Sequence, residues 1–228
     1  MKDKSKARPT AGGHEGRKPA EGQGGFTDHG VAMPVSHAST AAAGVDGKGR
    51  NIVMIWLSDC RGSYALALID AQTGECREYP TPFPLVGGSC STFQAVLSRK
   101  GKYYTHFSSH FVEFDPAREA FTFVGETRSR RAICMTEDDN GVIYSVGHPD
   151  STLVSYDPAT GRFRDHGIVN PQHAMQYHGD MAADDAGWVY CAVGEALSQI
   201  VAFDPGSGKA HPLLSDAERV SGICASVL

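Results

Sequence analysis

The chain has no Cys-x-x-Cys pair, no Gly-x-Ser-x-Gly elbow, no phosphate loop and no dinucleotide fingerprint. These absences exclude the common zinc-ribbon, serine-hydrolase and nucleotide-binding signatures. No apolar run approaches the ~20 residues that span a bilayer, so no membrane partner is expected. Basic residues are outnumbered, with Lys+Arg 21 against Asp+Glu 26, and the basic stripe of a nucleic-acid binder is missing. Helical i, i+3, i+4 periodicity and a Leu-x-x-Leu lattice are also missing, which sets aside helical solenoids and leucine-rich repeats. Residues 1–25 contain almost no large apolar side chain and read as a disordered tail. The positive charge of Met1–Pro9 has no apolar stretch behind it, so no signal peptide is readable and the cytoplasm is the default expectation. The six cysteines follow no disulfide framework, and Cys134, Cys191 and Cys224 sit in apolar surroundings that suit buried thiols.

What the chain does have is Gly 26 and Pro 12, recurring at regular intervals. One turn formula appears four times: Asp70-Ala-Gln-Thr-Gly74, Asp115-Pro-Ala-Arg-Glu119, Asp157-Pro-Ala-Thr-Gly161 and Asp204-Pro-Gly-Ser-Gly208. Successive Asp residues lie 45, 42 and 47 positions apart. Asp accepts backbone hydrogen bonds, Pro fixes φ and Gly supplies the positive φ that a tight turn needs. A second landmark runs out of phase, as Asp138-Asp-Asn-Gly141-Val-Ile-Tyr144 and Asp184-Asp-Ala-Gly187-Trp-Val-Tyr190. Looser copies surround Gly101 and Asp46–Gly49. A third pairs Phe26-Thr-Asp-His-Gly with Phe163-Arg-Asp-His-Gly.

Each repeat thus holds four short antiparallel strands in about 45 residues, which is a propeller blade. Segments such as Tyr64–Ile69 and Gln199–Phe203 are apolar at nearly every position, as strands covered on both faces must be. The expected fold is all-β, a β-propeller over residues 26–228. Blades fall at about 35–80, 90–125, 131–167 and 177–214, with the start of another at 219–228. The flanking pieces supply only an outer and an inner strand, so the expectation is an incomplete ring of four full blades plus partial ones.

The phrase Gly74-Glu-Cys-Arg-Glu-Tyr-Pro-Thr-Pro82, with the recurring Asp-x-x-Gly-x-Val-Tyr, resembles the streptogramin-lyase-like propellers. It is also similar to the wider group of NHL-repeat and gluconolactonase (senescence-marker) propellers. The resemblance implies a propeller that either binds ligands without turnover or acts as a lyase or lactone hydrolase with a divalent metal at the channel top. No family active-site motif transfers residue by residue. The Trp-Phe-Thr-Glu ending of the lyase turn is replaced by Tyr-Ser-Val-Gly147 and Tyr-Cys-Ala-Val-Gly194.

In a propeller the segments that enter the inner strands share one face with the loops between second and third strands. Aligning the blades on Gly101, Gly141 and Gly187 makes Arg131 equivalent to Ser91 and Tyr177, and Cys134 equivalent to Gln94 and Asp180. These positions change chemical type on a constant frame, which suits a site. The loop from Asn170 to Asp180 brings His173, Tyr177, His178 and Asp180 to the channel entrance, with His178 or His173 as candidate general base. Arg128, Arg130 and Arg131 form a basic cluster, and Arg131 would position an anion by bidentate hydrogen bonds. Gln94, His106 and His148 complete the candidate ligand contacts. His106, His110, His148, Asp150 and His178 together could gather a metal, although His106, in a strand after Tyr103-Tyr104, equally reads as a satisfied interior histidine. The functional expectation is small-molecule binding at the channel mouth, with lyase or lactonase chemistry on a carbohydrate-like or polar substrate. Its rivals are a non-catalytic propeller that binds a protein or glycan partner, and an inactive truncated product.

Overall fold

In the computed structural model, residues 37–59, 61–86, 89–171, 179–193 and 197–221 are described. They belong to one unit, Val35–Leu228. Among them there is no helix, and so none long and apolar enough to cross a membrane.

Blade 1 is a meander of β1 (His37–Val45), β2 (Asn51–Asp59), β3 (Gly62–Asp70) and β4 (Cys76–Pro80). Blade 2 follows with β5 (Ala95–Leu97), β6 (Tyr103–Phe107), β7 (His110–Asp115) and β8 (Ala120–Glu126). Blade 3 contains β9 (Arg131–Glu137), β10 (Ile143–His148), β11 (Thr152–Asp157) and β12 (Arg162–Ile168). Blade 4 contains β13 (Asp180–Ala183), β14 (Val189–Val193), β15 (Gln199–Asp204) and β16 (Lys209–Pro212). Pairing within each blade is antiparallel throughout. The expected four full blades are all present. The Phe26–Gly30 echo and residues 222–228 lie outside the described residues.

The middle strands explain the stacking. Every residue of β6 and β10 is buried. Because successive side chains of a strand point to opposite faces, each such strand serves two neighbours. From β6, Tyr103 and Phe107 join Ile52, Met54, Trp56, Leu66 and Leu68 of blade 1. Tyr104, on the opposite face of the same strand, joins Ile143, Val154 and Tyr156 of blade 3. Blades 3 and 4 meet through Ile133, Val146, Leu153, Val189, Val201 and Phe203. Each fully buried large side chain contributes about 1.5–3 kcal/mol, so the inter-blade seams are the core of the molecule.

The turns repeat as the sequence spacing predicts. Asp46, Asp138 and Asp184 each accept, through Oδ1, the backbone N–H four residues on, from Arg50, Val142 and Trp188, at 2.8–3.0 Å. Gly49, Gly141 and Gly187 close these turns at φ of 77°, 82° and 88°. In blade 2 Ser98 takes the place of the aspartate, and its Oγ accepts the Lys102 N–H at 3.2 Å. The turns between third and fourth strands are equally regular, with Asp157 Oδ1 accepting the Ala159 N–H at 2.9 Å and Asp204 Oδ1 accepting the Gly206 N–H at 2.8 Å. Blade 2 lacks the final glycine there, and Glu119 adopts φ 52° in its place. Its carboxylate spans the blade boundary, accepting Tyr79 Oη–H at 2.7 Å and pairing with Arg77.

The junction of blades 2 and 3 is the tightest. Phe107 of β6 pairs directly with Arg131 of β9, which fuses the two blades into one eight-stranded sheet. The linker there is four residues, 127–130, against fourteen (81–94) into blade 2 and eleven (169–179) into blade 4. Its Ser129 is fully buried beneath Gly147, where an added Cβ would run into the Ser129 side chain. His106 fills the same seam. Its Nδ1 lies 3.0 Å from Ser145 Oγ, and its Nε2 lies 2.7 Å from Thr127 Oγ1 and 3.2 Å from the Ser129 carbonyl. Burial drives its pKa down from the ordinary 6.5 to about 4.

Two outcomes follow for stability. Gly147→Ala is expected to cost about 1–3 kcal/mol by overpacking. Gly161→Ala, at φ 71° in open space, should cost about 1–2 kcal/mol from the left-handed backbone alone; urea denaturation measures both. The second outcome concerns pH. The unfolded chain takes up the His106 proton near pH 6.5 and the folded chain near pH 4. The contribution is therefore intact above pH 6.5 and is lost as pH falls toward 4, by about 3 kcal/mol in all. Denaturation across this window should show that loss in the wild type and a shallower slope in His106→Gln.

Candidate functional site

The face carrying the blade-entering segments is built by a hydroxyl device repeated between blades. Ser63 Oγ accepts the Thr92 N–H at 2.9 Å. Ser151 Oγ bonds both the N–H and the carbonyl of Asn170 at 3.2 Å, and Ser198 Oγ does the same with Val220 at 3.3 Å. Each serine opens a third strand and ties it to the segment that leaves its blade. Ser109 holds the equivalent place by backbone, with its N–H donating to the Arg130 carbonyl at 3.0 Å and its carbonyl accepting the Thr127 N–H at 2.8 Å. The sequence does carry a signal for this device. Ser109, Ser151 and Ser198 each stand six residues before a turn aspartate, and Ser63 stands seven before Asp70.

Across the fused sheet of blades 2 and 3, one transverse row runs along this face. His110 of β7 is opposite Phe107 of β6, Phe107 is opposite Arg131 of β9, and Arg131 is opposite His148 of β10. The long segment 81–94 lies against the row. Its Phe83 stacks on His110, with ring centroids 3.9 Å apart and planes 6° apart. The Arg131 guanidinium sits over the ring of Phe93, 5.4 Å from its centroid. Phe93 is 39 % exposed, so part of its ring faces outward beside the guanidinium. Ser108 fastens the segment to the row, its Oγ accepting the Cys90 N–H at 2.9 Å and donating to the Cys90 carbonyl at 3.0 Å.

Ser108 and Ser109 form a two-residue hairpin with φ of 48° and 60°. A turn with both central residues left-handed favours Asn or Gly. Two serines there store backbone strain, a feature that clusters at ligand sites. The turn also aims His110. Its Nδ1 lies 2.7 Å from the Ser108 carbonyl, which can only accept, so Nδ1 carries the proton.

The structure distributes the expected site residues unevenly. Arg131 and Gln94 are half-buried at the tops of adjacent inner strands, and the Gln94 carbonyl accepts Thr105 Oγ1–H at 2.6 Å. Strand register makes Cys134 and Asp180 equivalent, opposite Val146 and Ala192, as the alignment on glycines predicts. Asp180 is half-buried, and its Oδ1 accepts the Met181 N–H at 2.9 Å. Cys134 is a buried thiol whose pKa burial pushes well up, so it is held as an apolar side chain. Cys191 shares that cluster, with its thiol raised to about 12 by burial. His148 is buried beside Arg131. His106 is wholly interior and has both ring nitrogens engaged, which matches the reading of a satisfied histidine rather than a ligand contact. His173, Tyr177 and His178 lie outside the described residues.

Asp150, beside this row, accepts hydrogen bonds from Ser129 Oγ at 2.9 Å and from the Thr152 N–H at 3.2 Å. Burial pushes its carboxyl up, but these bonds outweigh that and hold it below the usual range. Among the described residues no group of three or more His, Cys, Asp or Glu is placed to hold a metal ion. Sequence reasoning missed the part played by Phe83 and Phe93, which are unremarkable in a Pro- and Gly-rich segment until the fold sets them on His110 and Arg131.

No protein-family model matches the chain, and no curated protein matches it in sequence. Solved structures do match in shape. A streptogramin B lyase aligns with a TM-score of 0.55 at 13% identity, over 82% of this chain and 57% of its own. A catalytically inactive virginiamycin B lyase from Staphylococcus aureus, solved with quinupristin, aligns with a TM-score of 0.56 at 12% identity, over 82% and 59%. The WD40 repeats of RRP9 align with a TM-score of 0.57 at 10% identity, over 84% and 55%. The chain therefore spans somewhat over half the length of these neighbours. With its antiparallel four-stranded blades and these neighbours, the chain has the β-propeller fold.

Proposed function

We propose that this propeller binds a small anionic or polar molecule at the channel mouth above blades 2 and 3. Lyase or lactone-hydrolase chemistry on a carbohydrate-like or polar substrate is the catalytic form of that reading. The observation that carries it is the pairing of Arg131 with Phe93, a guanidinium and a part-exposed ring brought from two different blades. A guanidinium offers a fork of donors that suits a carboxylate or sulfate, and an adjacent ring lowers the local dielectric and strengthens that attraction. Arg130 is exposed on the same linker and adds positive potential around it, whereas Arg128 pairs with Asp165 at 3.5 Å. Gln94 and Asp180, at equivalent heights on flanking blades, supply polar contacts of different kinds.

The rival reading, a propeller that presents its loops to a protein or glycan partner, draws on Val86. It lies in the same segment as Phe93 and is 68% exposed. The solved neighbours include both a lyase and WD40 repeats, so the fold leaves the choice to the site.

Calorimetric titration with benzoate separates these readings. The wild type should give saturable binding, and Arg131→Ala should weaken it at least ~10-fold, the worth of a charge-assisted hydrogen bond. Phe93→Ala should weaken it less. Equal binding by wild type and Arg131→Ala would contradict the proposal, and binding of a partner lost in Val86→Asp but kept in Arg131→Ala would favour the rival.

A further inference from the structure

We propose that the chain closes its ring with a second copy of itself, the outer face of blade 4 on one copy packing against the outer face of blade 1 on the other. The three core clusters join blade 1 to blade 2, blade 2 to blade 3 and blade 3 to blade 4. Among the described residues no such cluster joins blade 4 to blade 1. Strand parity identifies the two faces left over. In β2, Ile52, Met54 and Trp56 enter the seam with blade 2, so Val53, Ile55 and Leu57 point the other way. Register sets Ile69, Ala67 and Ala65 of β3 beside them. In β14, Val189, Cys191 and Val193 enter the seam with blade 3. Tyr190 and Ala192 therefore lie on the far side, opposite Ala202 and Ile200 of β15. Val53, Ile55, Leu57, Tyr190 and Ile200 are half-buried and belong to none of the core clusters. A terminal repeat that stays alone in water carries a polar outer face, and both faces here are apolar.

The internal seams show what fits each face. Counted from the turn glycines Gly49 and Gly101, Ile55 holds the position of Phe107, which enters the seam with the blade before its own. Counted from Gly187 and Gly141, Tyr190 holds the position of Tyr144, which enters the seam with the blade after its own. Blade 1 thus presents the surface that elsewhere receives a preceding blade, and blade 4 the surface that elsewhere receives a following one. Their bulk is also complementary. Blade 1 offers a row of branched side chains, and blade 4 sets Ala182, Ala192 and Ala202 around Tyr190 and Ile200. The match for each end lies at the opposite end of the same chain, so a second copy satisfies both at once. Head-to-tail contacts of this kind form a ring when their rotation closes. Two copies of four blades make eight, within the range that propellers adopt.

Sedimentation equilibrium of the full chain tests the pairing, and the wild type should sediment as a dimer. Ile55→Asp disables the blade 1 face and Ile200→Asp the blade 4 face, so each variant alone should show about a twofold fall in mass. Their equimolar mixture keeps one intact pair of faces and should recover the dimer. Hydroxyl-radical footprinting of the wild type gives a readout that needs no variant. Tyr190 and Leu57 should be modified as slowly as the buried Tyr103 and Leu66. A wild-type monomer, or faster modification of Tyr190 and Leu57 than of those two controls, overturns the proposal and leaves both faces to another segment of the same polypeptide. A dimer that survives either substitution, or a mixture that stays monomeric, overturns the head-to-tail arrangement. Oligomers larger than the dimer overturn closure by two copies.

Discussion

Two-sided burial is the constraint on which this structure depends. A middle strand such as β6 has no polar face, because Tyr103 and Phe107 are as buried as Tyr104 and His106. One sheet cannot satisfy such a strand. Its alternate side chains need a neighbour on each side, and the repeat supplies one about every 45 residues. The blade order, the apolar seams and the placement of loops at the two edges follow from that requirement.

The site inherits its rigidity from the same stacking. Short connections hold blades 2 and 3 together, and Ser129 beneath Gly147 leaves no slack between them. The longer segment into blade 2 is tied down by Ser63 and Ser108 through Thr92 and Cys90. These bonds hold the backbone immediately before Phe93. Left-handed backbone at non-glycine residues occurs singly at Thr40, Glu119 and Ser151, and at the Ser108-Ser109 turn two such residues stand together. Recognition groups placed on rigid elements lose little entropy on binding.

Much of the fold was legible because the turn chemistry is local. An aspartate that bonds the N–H four residues on, with glycine between, leaves a mark that spacing reveals. Even the exceptions obey the same physics, since Ser98 substitutes its hydroxyl for a carboxylate and Glu119 accepts a left-handed backbone while bonding Tyr79 and Arg77 across the seam. The equivalence of Cys134 and Asp180 was also readable from glycine alignment. Legibility ended where the neighbour decides. His106 and His110 lie on either side of one hairpin, and nothing local says that one meets Ser145 and the other Phe83. Strand parity separates their faces, but the identity of what lies across each face is a long-range fact. The same holds for Phe93, whose meaning comes from Arg131, thirty-eight residues away in sequence.

The claim that each middle strand divides its side chains between two neighbours can be measured directly with double-mutant cycles on β6. Phe107 contacts Trp56 of blade 1 with ring centroids 4.7 Å apart, and Tyr104 faces Tyr156 of blade 3 at 6.3 Å. Coupling of about 0.5–1.5 kcal/mol is expected for Phe107 with Trp56 and for Tyr104 with Tyr156. The crossed pairs, Phe107 with Tyr156 and Tyr104 with Trp56, should be additive. Coupling of Phe107 to Tyr156 as strong as to Trp56, or none in either matched pair, would contradict the stacked-blade account.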